Sequence, residues 1–507
     1  MLLPENPVLT KELRTRMRGP RAFWILLAYV GLPSLVVLLT YISYSAYDRY
    51  GGSNAQATFQ LGKTFYSTVF IIQALLVGLI KPALTAGGVT LEKEQRTYDL
   101  LSLTKLPRRA IVQGKLFSAT LFVALLLTSS LPLASLCFLL GGIAPSQVVA
   151  SYIILLSCAF LYGSVGIVSS AISKSTTNAT SLAYGIILLL FFCTLPMAVV
   201  GFACGFGAGV PGIGLTAVNP VGAVSSGNLS EVYYGISLPA WLPAILVNGL
   251  LGIILTVNAI HRLEYPRTDR TPLLRLLCAV FTLVLAFFSY GFIQPRSGSG
   301  LSGGLSNDLL PASILTLAAV VLISAVFCSG EALTVRGNLL SQIFDPRRLR
   351  VGDAPSGLFY SLLLVLICGV VLYLGAGTYS RTAVLKLVLL CLTFLWMLGT
   401  MGIWLSQIAR SRWASLGATF AFASVLCICP MLSLINMSNQ PRRETVVDNI
   451  LYLSPIPAAV ELSGESMGDV RSSKLFFGAT PFLPVTSMLY VGAGVLFLIG
   501  AQRSLGK

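Results

Sequence analysis

Charge is scarce in this chain. Only 10% of its 507 residues are Asp, Glu, Lys or Arg, where a soluble domain carries about 25%. Histidine is nearly missing: His261 is the single one. It stands beside Arg262 at the end of an apolar run and reads as an interfacial residue, and one histidine cannot build a multi-histidine metal site. The ten cysteines (137, 158, 193, 204, 278, 328, 368, 391, 427 and 429) lie in or next to apolar runs. Their placement argues against a disulfide framework and against zinc. Cys427-x-Cys429 has no third or fourth ligand nearby and reads as two small apolar residues. A cleavable signal pattern is also missing. Met1–Arg21 is polar and basic, and Ala22–Tyr44 exceeds the roughly 7–15 residues of a signal core, so the first span is expected to stay in the membrane.

What the chain has is apolar length. Hydrophobic residues make up 55% of it, and the mean hydropathy is +0.83. The runs are continuous, whereas membrane barrels alternate over strands of about ten residues. The fold class expected is an all-α polytopic membrane protein. About 20 apolar residues cross a bilayer core, and twelve stretches qualify: 22–44, 62–86, 115–141, 148–173, 178–207, 239–261, 273–293, 310–330, 357–377, 383–408, 413–437 and 481–501. An even count puts both termini on one side. Most of the 34 Lys and Arg fall on that side, among them Lys11, Arg14, Arg16, Arg18, Arg21, Arg108, Arg109, Arg262, Arg267, Arg270 and Arg275. Lys/Arg excess marks the cytoplasm, so the topology expected is N-in/C-in. The net charge of +16 then reflects topology and contact with anionic lipid, not nucleic acid.

The chain repeats itself. Glu92–Arg109 (EKEQRTYDLLSLTKLPRR) and Glu331–Arg348 (EALTVRGNLLSQIFDPRR) agree at seven of eighteen positions. Gly163–Ser175 aligns with Gly399–Ser411 at six of thirteen, Cys193-x-x-Pro196-Met197 with Cys427-x-x-Pro430-Met431, and Asn219-Pro220-Val221 with Ser454-Pro455-Ile456. Four matches in one order at nearly one offset indicate duplication. Six spans per half give both halves the same orientation, a parallel repeat. The domains expected are residues 1–263, a linker at 264–272 and a second half at 273–507. Gly163 and Gly166 with Ser169 and Ser170 suit close helix packing. Pro196 and Pro430 are expected to kink the fifth and eleventh spans near a pathway. The Asn-Pro and Ser-Pro loops suit re-entrant or interfacial hairpins on the outer face.

The first polar element is expected to form a short helix over Glu92–Leu103, within 91–104, with Glu92 and Glu94 at its positive N-terminal end. Pro107 breaks it before the third span. An amphipathic helix along the membrane surface is one reading; a docking surface for a cytoplasmic partner is the other.

These residues resemble the permeases of ABC-2 type transporters. The pattern is E-x-E-x-x-T-x-x-L-L, then a Pro-Arg turn and Gly-Lys. It is carried here by Glu92, Glu94, Thr97, Leu100 and Leu101, then Pro107, Arg108 with Arg109, Gly114 and Lys115. Asn6–Phe23 is similar to the family's interfacial N-terminal helix, and the resemblance covers residues 1–262. The second copy keeps Glu331, Leu339, Leu340 and Pro346-Arg347-Arg348 but has Leu333 and Arg336 for Glu94 and Thr97, a degenerate coupling helix near 331–343. The resemblance implies that the chain is not itself an enzyme, binds no cofactor, and works in a bacterial-type plasma (inner) membrane. It implies two cytoplasmic ABC ATPase subunits as partners, which hold ATP and Mg. Glu92 and Glu94 would pair with the ATPase, and the two Leu-Leu pairs would enter its groove. The substrate expected is amphipathic or lipid-like.

Two strings imitate nucleotide sites. Gly62-Lys63-Thr64 lacks the first glycine of a phosphate loop, since position 57 is Ala. Leu301-Ser302-Gly303-Gly304 lies in a Gly/Ser-rich linker. The competing readings are a twelve-span secondary transporter, which would want ionisable residues in mid-membrane, and a membrane-embedded lipid enzyme, which would want clustered His, Asp or Glu. Against the first, Lys81 and Lys386 are placed near span ends. Against the second, no such cluster is present.

Overall fold

The computed structural model describes residues 7–51, 55–97, 107–139, 143–203, 230–233, 236–239, 241–264, 270–291, 320–321, 339–345, 354–375, 381–408, 414–415, 417–423, 425–426, 455 and 482–505. Its contacts divide the chain into two units, Met1–Arg270 and Thr271–Lys507.

Unit 1 opens with α1 (Pro7–Met17) and α2 (Pro20–Gly51). Gly19 turns the chain between them at φ 141, a conformation open to glycine and costly for other residues. Pro20 then stands in the first turn of α2, where a missing N–H costs nothing. The helices α3 (Ala55–Glu94), α4 (Arg108–Ser129), α5 (Leu131–Leu139), α6 (Pro145–Ile172) and α7 (Thr176–Ala203) follow. A two-stranded antiparallel hairpin, β1 (Ser230–Tyr233) with β2 (Ile236–Pro239), precedes α8 (Trp241–Glu264). Among the described residues, the hairpin is the one non-helical element. Val232, Tyr233 and Ile236 favour extended backbone, and Tyr233 faces Ile236 across a two-residue connection.

Unit 2 comprises α9 (Thr271–Gly291), α10 (Leu339–Ile343), α11 (Ala354–Gly375), α12 (Arg381–Ile408) and α13 (Phe482–Leu505). Among the described residues, nine helices are long and apolar enough to cross a membrane. The protein is a polytopic helical membrane protein. The fifth expected span, 178–207, falls largely on the 28-residue α7. Most of the eighth and of the eleventh lie outside the described residues, as do Pro430 and the paired outer-loop motifs except Pro455. Pro196 lies within α7.

The faces turned away from each core are apolar. On α2, Phe23, Trp24, Leu35, Leu38 and Leu39 are more than half exposed, as suits side chains in contact with acyl tails. In unit 1, α6 packs against both α3 and α8. Gly163 and Gly166 make the first contact possible. A Cβ on Gly163 would overlap Lys81 and Leu116, and one on Gly166 would overlap Thr85. Small residues let helix backbones approach where lipid offers no hydrophobic drive.

The second contact recurs in unit 2. Gly252 of α8 packs over Phe160 and Ser164 of α6; Gly494 of α13 packs over Trp396 and Thr400 of α12. Phe160 and Trp396 are 236 residues apart, and so are Ser164 and Thr400. That is the offset at which Gly163–Ser175 aligns with Gly399–Ser411, while the two glycines themselves stand 242 residues apart.

Lys81 of α3 is fully buried, and the helix runs on past it to Glu94. The helix persists through Gly87 and Gly88, where an added Cβ would meet nothing within 4 Å at Gly87 and only ordinary contacts with Ile167 and Lys115 at Gly88. Lys81 donates to Thr120 Oγ1 at 2.6 Å.

Candidate functional site

The polar element is built differently from the helix expected over Glu92–Leu103. Glu92 and Glu94 do not open a new helix; they form the last turn of α3. Arg96 ends it at φ 55. This is the left-handed conformation of a helix C-cap, with the Arg96 N–H bonded to the Lys93 carbonyl at 3.2 Å. Thr97 closes the turn, its N–H donating to the Glu92 carbonyl at 3.0 Å and its hydroxyl to the same oxygen at 3.3 Å. Leu100 and Leu101 lie outside the described residues.

Carboxylates in the last turn of a helix oppose its dipole. Here each finds compensation on another helix. Glu92 Oε1 lies 2.7 Å from Lys115 Nζ of α4. The same ammonium reaches Glu12 Oε1 of α1 at 2.9 Å, so one lysine joins three helices. Glu94 meets a positive helix end after all, but that of α7. Its Oε1 accepts from the Thr176 N–H at 2.8 Å, and both carboxylate oxygens lie 3.2 Å from the Thr176 hydroxyl. Between them, Lys93 turns to α6. Its ammonium donates to the carbonyls of Ala171 (2.8 Å), Ser173 (3.2 Å) and Ser170 (3.3 Å), the placement a helix C-terminus favours for a cation. One turn earlier, the Ser170 hydroxyl accepts from the backbone N–H groups of Val89 and Thr90 at 2.8 and 3.0 Å. Three consecutive residues thus tie the end of α3 to α4, α6 and α7, and through Lys115 to α1.

Sequence reasoning placed Lys115 within the motif. It missed Glu12 and Lys93, whose signal was their recurrence near the same ends of neighbouring spans. Pro107 immediately precedes α4, where Arg108 donates to the Leu263 carbonyl at the end of α8. Arg109 is exposed.

Arg16 of α1 donates to the Leu84 carbonyl at 2.9 Å and approaches Glu12 at 3.9 Å. Burial lowers the pKa of its guanidinium, with Glu12 opposing that shift. A half-open pocket of about 700 Å³ lies between α1, α3 and α4, lined by Lys11, Glu12, Thr15, Arg16, Leu84, Gly87, Gly88, Leu91, Glu92, Gln95, Thr97 and Lys115.

In unit 2, the second copy is described only over residues 339–345. Leu339 and Leu340 open α10; Leu340 is exposed, and Ile343 is buried against Leu358, Ile403 and Leu498. Glu331 and Pro346–Arg348 lie outside the described residues.

Residues 7–221 match the family described as ABC-2 family transporter protein. The match runs from α1 through α7 and encloses the whole hub. No curated protein matches the chain.

Proposed function

We propose that the chain is the permease subunit of an ATP-driven ABC-2 type exporter in a bacterial-type plasma membrane. A separate pair of cytoplasmic ABC ATPases hydrolyses ATP, and the two halves move an amphipathic or lipid-like substrate. The observation that carries this reading is the coincidence of the family match with the hub at Glu92–Glu94. A push delivered just beyond Thr97 reaches α3, α4, α6 and α7 together, because Lys115, Lys93 and Glu94 bind their ends into one body. In this reading Glu92 and Glu94 hold the lever rigid, and the residues that follow, with Leu100 and Leu101, meet the ATPase. The second half contributes a reduced contact at Leu339-Leu340.

The test is a charge reversal. Glu92→Arg sets two cations against each other and loosens the hub. In proteoliposomes holding the permease and its ATPase, ATP hydrolysis should persist while ATP-dependent lipid export falls at least tenfold. Adding Lys115→Glu restores an opposite-charge pair and should restore export. Export unchanged by Glu92→Arg would sink the lever.

Lys81 favours a second reading, a secondary transporter, since an ionisable residue inside a span is a candidate for ion coupling. That reading expects gradient-driven substrate movement without ATP, abolished by Lys81→Met. The permease reading expects no movement without ATP in either form.

A further inference from the structure

The pocket beside the hub contains an unused donor and an unused acceptor. Arg16 Nε and Glu92 Oε2 are both buried and have no hydrogen-bond partner among the described residues. A buried polar atom left unpaired costs about 1–3 kcal/mol, so a pair of them facing one cavity marks a place where something polar binds. The charges specify its sign. Lys115 is engaged by both Glu12 and Glu92. Counting Lys11, Arg16 and Lys115 against the two carboxylates leaves one positive charge in surplus. Arg16 has only a distant carboxylate, at 3.9 Å, and its guanidinium is held at a depth where burial works against its charge. An anion there would offset that burial through charge-assisted hydrogen bonds.

The location specifies the ligand. The pocket sits where the apolar stretches of α3 and α4 give way to charge, beside the basic helix α1, and Leu84 and Leu91 line one side. A boundary between apolar helix and basic charge is where a chain of this kind is expected to meet lipid headgroups. We propose that the pocket binds a glycerophospholipid headgroup, with its phosphodiester on Arg16 and Lys11 and a headgroup N–H or O–H donor on Glu92 Oε2. The glycerol end and upper acyl chains then follow Leu84 and Leu91. Ethanolamine and glycerol headgroups satisfy both orphan atoms. Choline satisfies only the phosphate half, because its quaternary ammonium has no hydrogen to donate. The proposal concerns unit 1 alone and stands or falls independently of the ATPase reading.

Native mass spectrometry of the detergent-purified full chain tests it. Dioleoyl phosphatidylglycerol and phosphatidylethanolamine should each bind with one site at least fivefold tighter than dioleoyl phosphatidylcholine, and dioleoylglycerol should show no such site. Inorganic phosphate should displace the lipid only in large excess. Displacement at equal concentration would identify a free-phosphate site instead and overturn the headgroup. Lys11→Gln and Arg16→Gln should each weaken binding at least fivefold. Lys11 is exposed, so its variant keeps the test open should Arg16→Gln fail to fold, and Arg16→Lys should recover part of the loss. Equal binding of diacylglycerol and phospholipid, or wild-type binding by the folded Lys11→Gln and Arg16→Gln variants, would overturn the proposal. So would a pocket covered by the ATPase: Lys11→Gln would then weaken ATPase association and leave lipid binding unchanged.

Discussion

Lys115 Nζ stands 2.7 Å from Glu92 Oε1 and 2.9 Å from Glu12 Oε1, with only 6% of its side chain exposed. This one ammonium holds the end of α3 and the first helix of the chain to the start of α4. Removing it leaves two partly buried carboxylates without their partner. Lys115→Met should cost about 1–3 kcal/mol, below the 3–5 kcal/mol of a broken fully buried pair because both carboxylates keep some exposure. Glu92→Gln keeps a hydrogen bond to Lys115 and should cost less. Thermal unfolding of the detergent-solubilised variants checks the order, and a double-mutant cycle should show coupling between positions 92 and 115. Additive effects would mean that the pair does not act as one.

The seam between α3 and α6 should be intolerant of a single methyl. Gly166→Ala drives its Cβ into Thr85, with the Ala86 backbone nitrogen also within 3.2 Å. Overpacking of this kind costs about 1–3 kcal/mol. Thr85→Ala removes the nearest atom and should recover part of that loss. Gly185→Ala in α7 meets nothing within 4 Å and should be neutral or slightly stabilising, since alanine is the better helix former. Thermal melts of the three variants read the contrast.

The two similar glycine–aromatic contacts predict similar phenotypes. Gly252→Ala should be relieved by Phe160→Leu in unit 1, and Gly494→Ala by Trp396→Leu in unit 2, because in each case the obstructing atoms belong to one aromatic ring. Membrane expression and melting temperature check both pairs. Relief in one half only would show that the two halves no longer pack alike.

Glu94 caps α7 through Thr176. Glu94→Ala should cost about 1 kcal/mol, as loss of a helix cap does, and should speed amide hydrogen exchange over the first turn of α7. Glu94→Gln retains an acceptor oxygen and should restore most of the protection.

Much of this was legible in the sequence because apolar runs announce their own length. The first four spans followed from it, whereas α1 was expected from the resemblance of Asn6–Phe23 to a family's N-terminal helix. Gly163 and Gly166 were readable as contact points because a bilayer leaves few other reasons for small residues at that spacing. The polar element was readable as a motif but not as a structure. Glu92 and Glu94 suit a helix N-terminus, and only the tertiary arrangement shows that Lys115 and the start of α7 supply the compensation. Gly87 and Gly88 suggest the end of a helix, yet α3 continues through them to Glu94. The hairpin at 230–239 left no signal beyond two short β-favouring stretches.

On the proposed reading, the chain is a permease that works with a separate ATPase. Affinity purification of the tagged full chain from its native membranes, followed by ATP-hydrolysis assay and reconstitution, tests it most directly. The account predicts an ABC ATPase in the eluate, hydrolysis of ATP by the complex, and lipid-like substrate movement that stops without ATP. A chain that elutes without an ATPase and moves substrate on an ion gradient alone would contradict it.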